Sequence, residues 1–140
     1  MRALEKASDK DRTVKQLPKD TEDQVSIQQN AVLGDTDLQA ALSAIHPVFG
    51  DFCTRVAGEA WGLPLIDQRT KALITIAVDV VNTNENGPGS PFRAHVNMAL
   101  KQGVTFAEIE ELLTFMCVYA GFNKGASAFG RLAEIKAETR

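Results

Sequence analysis

From about residue 36 onward, apolar residues recur at helical spacing rather than in alternation. Leu38, Ala41, Leu42 and Ile45 form one stripe behind Asp35 or Thr36, either of which can cap a helix. That helix is predicted to stop at His46-Pro47, because a proline disfavours the helical conformation in the residue before it. Pro47 then suits the first turn of a second helix. Val48, Phe49, Phe52 and Val56 share one face of it, and it ends near Trp61-Gly62. Asp67 caps a third helix, QRTKALITIAVDVVN. Its β-branched run resembles a strand in isolation, but the cap and the length of the pattern favour helix.

Residues 82–91, NTNENGPGSP, hold too much Gly, Pro and Asn for regular structure. The helix after them carries His95, with Val96, Ala99 and Leu100 inward and Gly103 as a left-handed cap. Thr105 and Glu108 spell a capping box for a helix bearing Phe106, Ile109, Leu112, Leu113 and Met116. Gly121 interrupts it, and KGASAFGRLAEIKAE supplies the last helix. The predicted class is all-α, with one helical domain over residues 25–140 and no internal repeat. Residues 1–24 alternate charges around few apolar side chains. They are predicted to form a mobile polar arm unless a neighbouring subunit orders them.

Composition narrows the function classes. The 140 residues, 44% hydrophobic and 24% charged, are ordinary for a soluble domain large enough to bury a core. A net charge of −3 gives no reason to expect nucleic acid or an anionic membrane as partner. No apolar run approaches the ~18 residues a membrane span needs. The N-terminus lacks the apolar stretch of a targeting signal, so a cytoplasmic location is expected. Cys53 and Cys117 lie far apart, without any Cys-x-x-Cys, and with His46 and His95 they show no zinc spacing, so no metal is expected. Cys117, in LLTFMCVYA, is predicted to be buried. Cys53, in FGDFCTRV, carries no comparable signal. His46, at the end of its helix, is accounted for by favourable placement near a helix C-terminus.

Three stretches occur in a telling order. AWGLPLIDQRTKALITIA is similar to a W-G followed by D-x-R-T-R-x-L-x-T-x-A. FRAHVNMALKQGVTFAEIEELL is similar to E-F-R-x-H-V-x-x-A-L-x-x-G-V-T-x-E-E-I, and VYAGFNKGASAF to Y-A-G-x-P-x-A-x-x-A-F. These are patterns of the carboxymuconolactone decarboxylase family, which shares its fold with the alkylhydroperoxidase-D-like proteins. SIQQNAVLGD resembles the family's R-x-x-V-L-G segment more weakly. The resemblance covers roughly residues 25–135. It implies a helical bundle, assembly into homo-oligomers (trimers or hexamers), and a small pocket beneath the histidine helix. It also implies cofactor-free removal of CO2 from a carboxylated unsaturated lactone. A redox branch of the fold uses a Cys-x-x-Cys pair ahead of the histidine.

Decarboxylation leaves electron density that must spread onto a conjugated carbonyl, whose oxygen needs hydrogen-bond donors. The carbanion then needs a proton. His95 matches the family histidine and is the candidate for either task, since imidazole titrates near neutrality. Spacing alone leaves open that it is a polar group at the edge of a packed helix. Pro91 stands where the family carries Glu or the second Cys, and Pro88 stands at the first Cys. Thiol peroxidase chemistry needs a thiolate there, so it is not expected. Asp79 and Glu85 are the candidate replacement acids. Asp79 lies within the apolar third helix, where it is either a buried carboxylate or a surface charge. Glu85, in the Asn/Gly loop, reads as solvated. Arg69 is a candidate carboxylate binder, with structural pairing to Asp67 or Glu59 as the alternative. At Lys71 the second basic residue of the pattern has lost its bidentate fork. Glu59 and Trp61 resemble a pocket-lining segment, although Trp61 also suits a core.

The leading expectation is therefore a cofactor-free enzyme acting through an enolate on a small carboxylated or carbonyl-bearing molecule, by decarboxylation or a related lyase, isomerase or cyclase reaction. The competing expectation is a non-catalytic oligomeric binder of small molecules.

Overall fold

A computed structural model describes residues 29–87 and 89–139 of the chain, so the polar arm expected over 1–24 lies outside the described residues. Among the described residues six helices follow one another: α1 (Thr36–Ile45), α2 (Pro47–Trp61), α3 (Gln68–Asn82), α4 (Phe92–Lys101), α5 (Phe106–Ala120) and α6 (Phe122–Thr139). No strand occurs among the described residues, and the β-branched run lies within α3.

The boundaries follow from local chemistry. The Asp35 carboxylate accepts from the Leu38 N–H at 3.0 Å, and that of Asp67 from Thr70 at 2.7 Å. Each satisfies an amide that the first helical turn leaves without a partner. Thr105 accepts from the Glu108 amide at 3.1 Å while its own amide donates to Glu108 at 2.9 Å, completing the reciprocal capping box. Gly103 has φ 89°, the left-handed conformation expected of it. His46 adds a role that spacing did not suggest. Its extended backbone closes α1 ahead of the proline, and its Nδ1 accepts from the Val48 N–H at 3.2 Å to cap α2.

The core is built around α3. One side packs against α4 and the other against α5 and α6, with α5 and α6 paired to each other. Ile76 and Val80 of α3 meet Val96 and Ala99 of α4, Ile109 and Leu113 of α5, and Leu132 and Ile135 of α6 in one buried cluster. Burying each of the larger side chains contributes about 1.5–3 kcal/mol, which makes this cluster the main source of stability.

Helices α1 and α2 form a hairpin packed mainly on itself. They approach closely because Gly50 has no side chain: a Cβ there would lie 2.6 Å from the Ser43 backbone. No residue of α1 is fully buried, and Val48, Phe49, Phe52 and Val56 all remain exposed. The apolar face predicted for α2 thus lies outside the core. Polar ties hold the hairpin to α3. Gln68 donates to the Trp61 carbonyl at 2.7 Å and accepts from the Ala31 amide at 2.8 Å. Lys71 donates to the carbonyls of Trp61 and Leu63 at 2.9 and 2.6 Å. Between the hairpin and α4 a gap is left open. Among the described residues no helix is long and apolar enough to cross a membrane.

Candidate active site

His95 lies in the first turn of α4, where that helix runs beside α3. Its Nδ1–H donates to the Asp79 Oδ2 at 2.6 Å. The Asp79 side chain is 2% exposed and the imidazole 25%. Asp79 is therefore a buried carboxylate and not a helix-surface charge. An ionised carboxylate only accepts hydrogen bonds, so this contact places the hydrogen on Nδ1 and leaves Nε2 for a ligand. A charge-assisted bond of this length also fixes the plane of the ring.

The imidazole lines a partly open cavity of about 460 Å³ between the hairpin and α4. That volume suits a small organic molecule. The walls are mostly apolar: Leu38, Leu42, Phe49 and Trp61 come from the hairpin side, and Ala94 and Met98 from α4. Charged groups sit in the same lining, namely Asp35, Asp37, Arg93 and Lys101. Lys101 is engaged by both Asp35 oxygens, at 2.9 and 3.0 Å. Arg93 forms an ion pair with Glu138 of α6.

The structure sorts the other candidates. Trp61 forms part of the cavity wall and is 9% exposed, so it serves the core and the wall together. Glu59 is exposed on α2 and does not line the cavity. Arg69 is also outside it, and its partner is neither Asp67 nor Glu59. One guanidinium nitrogen donates to both carboxylate oxygens of Glu108 at 2.5 Å. The Thr105 amide and this guanidinium together hold the Glu108 carboxyl below its usual range. Glu85 is the plainest correction. It is buried, because α6 packs over the loop: Ser127 Oγ donates to its carboxylate at 3.4 Å and Arg131 to its backbone carbonyl at 3.1 Å. It does not line the His95 cavity. Cys53 does line it, half-buried, whereas Cys117 is half-buried where buried was expected.

Reasoning from sequence passed over Arg93, Lys101, Asp35 and Phe49 as cavity residues. A usable signal existed for α4, where Ala94, Met98 and Lys101 recur at helical spacing on the side that faces the hairpin.

Residues 47–134 match the sequence profile of the Carboxymuconolactone decarboxylase family. The chain belongs to this family. It is also 30% identical, over 108 residues, to the 4-carboxymuconolactone decarboxylase of Acinetobacter baylyi, covering 74% of this chain and 78% of that protein. No solved structure gives a significant match. The part matched to the family holds His95, Asp79, Trp61 and Arg93, while α1, with Leu38 and Leu42, precedes it. Part of the hairpin wall of the cavity is thus built from residues outside the family match.

Proposed function

We propose that this chain is a carboxymuconolactone decarboxylase-like enzyme, in which the His95–Asp79 pair acts on a small unsaturated carboxylate held in the cavity. The observation that carries the reading is the coincidence of three features in one place. A histidine is oriented by a buried carboxylate at 2.6 Å, it lines the mostly apolar cavity, and it lies within the stretch matched to the family.

The chemistry follows from those parts. In decarboxylation the C–C bond to the carboxylate breaks and its electron pair passes into the conjugated system, so the carbonyl oxygen gains the charge as a dienolate while CO2 leaves. His95 hydrogen-bonds the enolate oxygen or delivers a proton to the carbon, and Asp79 supports the imidazolium whenever the ring carries both hydrogens. The same steps serve an isomerase or cyclase that proceeds through an enolate. Glu85 has no part in the pathway, since it lies off the cavity.

Assembly belongs to the reading. Ile74 and Val78 of α3, Phe115 and Val118 of α5, and Tyr119 and Phe122 beside them are all exposed on the single chain. Apolar surface of this extent supports a reading in which further copies of the chain cover it.

The test is turnover of 4-carboxymuconolactone and related unsaturated lactone carboxylates, followed by CO2 release, in the wild type and in His95→Gln. General acid–base loss predicts a fall of about 10²–10⁴-fold with folding retained. Ligand binding without any turnover would instead favour the non-catalytic binder.

A further inference from the structure

We propose that Arg93 is the specificity-determining residue of the cavity, a guanidinium that leaves Glu138 to grip a ligand carboxylate. This rests on the reading of the cavity as a site for small carboxylates, and it replaces Arg69 in the role that the sequence suggested for it.

The cations of the molecule differ in their availability. Arg69 is held by both oxygens of Glu108 and does not line the cavity. Lys101 lines the cavity but is gripped by both oxygens of Asp35, whose side chain is only 9% exposed, with Asp37 a further 3.9 Å away. A ligand carboxylate approaching Lys101 would also meet those two negative charges. Arg93 is placed differently. It lies two residues before His95 in the same lining, and it pairs with Glu138, in the last turn of α6. The side chains of that pair are 39% and 56% exposed. Half-exposed pairs of this kind are worth little in water, so exchanging one carboxylate for another costs little. A ligand lying against the apolar wall offers Arg93 a drier partner, and a guanidinium meets a carboxylate through two parallel hydrogen bonds. Specificity then has a simple form. The hairpin side accepts a flat apolar body, and Arg93 selects those that carry a carboxylate. Glu138 is the resting counter-ion that the ligand displaces.

Because this is a claim about binding, it can be separated from catalysis. Calorimetric titration of the intact protein with cinnamate and with cinnamamide compares one apolar body with and without charge. The wild type is expected to prefer cinnamate. Arg93→Gln should weaken cinnamate by about ten- to a hundredfold, the scale of a charged hydrogen bond, and leave cinnamamide unchanged. Arg93→Lys should fall between the two, having charge without the fork. Glu138→Gln, which breaks the same ion pair from its other end, should tighten cinnamate several-fold. A purely structural ion pair predicts otherwise: Arg93→Gln and Glu138→Gln would lower the melting temperature alike and neither would move the cinnamate-to-cinnamamide ratio. That result would overturn the proposal, as would a wild type that binds cinnamate no better than the amide or not at all. His95→Gln separates this from the catalytic reading. Retained, Arg93-dependent cinnamate binding there supports the carboxylate site, whatever becomes of turnover.

Discussion

The His95 imidazole and the Asp79 carboxylate meet at 2.6 Å across α4 and α3, the ring partly open to the cavity and the acid almost wholly buried. The two form a unit, since Asp79 sets which nitrogen carries hydrogen and His95 gives the buried carboxylate its hydrogen bond. Replacing Asp79 by Asn removes the charge that supports a protonated ring and permits the amide to present its donor to Nδ1. Turnover is expected to fall by about 10⁴-fold, the scale of an acid-to-amide change that leaves a working histidine in the wrong tautomer. In the double variant with His95→Gln the losses should not multiply, because either change disables the same unit. Steady-state rates of the two single variants and the double variant decide this. Fully multiplicative losses would show the residues acting separately.

Stability carries a second signature of the pair. His95→Leu fills similar space but leaves the Asp79 carboxylate buried without a donor, at a cost of about 1–3 kcal/mol. His95→Gln retains a donor and should cost less. Urea unfolding of both variants checks the order, and it identifies Gln as the substitution to use in any rate assay.

Helix boundaries were legible in the sequence because they depend on neighbours. Asp35, Asp67, Thr105 and Pro47 each act within a few residues of themselves, and each does what its type and position predict. Asp79 was half legible: an acid in an apolar helix must be buried and paired or turned outward, and spacing could not choose. Glu85 and Arg69 were illegible for one shared reason. Their partners lie 42 and 39 residues away, on helices whose docking the local pattern does not encode. The apolar face of α2 was legible as a face, but its place outside the core was not. Periodicity reports that a face seeks cover without reporting what covers it.

That uncovered surface leads to a prediction about assembly. The Phe115 and Tyr119 rings lie 5.0 Å apart at a 39° tilt on α5 and are 58% and 74% exposed. The intact protein is expected to sediment as a multiple of 15.2 kDa, and Phe115→Asp should shift it toward the monomer. A wild type that remains a 15.2 kDa species at micromolar concentration contradicts the proposed assembly.

Acid should loosen the start of α5. The Glu108 carboxyl is held below its ordinary range by the Thr105 amide first and by Arg69 second. A group whose folded pKa is depressed contributes stability above its unfolded pKa and loses it as pH falls through the folded value. This contribution therefore belongs to neutral pH and disappears on acidification, beginning near pH 5. Glu108→Gln keeps an acceptor for the Thr105 amide but has no charge to lose. Melting temperatures at pH 7 and pH 3 should consequently differ less in Glu108→Gln than in the wild type. Equal differences in the two proteins would remove Glu108 from the acid response.

The hairpin that walls the cavity offers the last prediction. Gly50 lets α2 lie against α1, and an added Cβ would meet the Ser43 Cα and N at 2.6 Å. Backbone atoms cannot rotate aside as the end of a side chain can, so Gly50→Ala must push the two helices apart. Overpacking of this kind costs about 1–3 kcal/mol. The displacement also reaches the site, since Leu38 and Leu42 of α1 line the cavity on one side of the contact and Phe49, next to Gly50, on the other. His95 and Asp79 stand on α4 and α3, outside the hairpin, and should keep their hydrogen bond. The variant is thus expected to be less stable and to bind cinnamate more weakly, while Arg93 still makes it prefer cinnamate to cinnamamide. Thermal melting with the same calorimetric titrations provides both readouts. Undiminished affinity in a measurably destabilised Gly50→Ala protein would show that the hairpin does not shape the site.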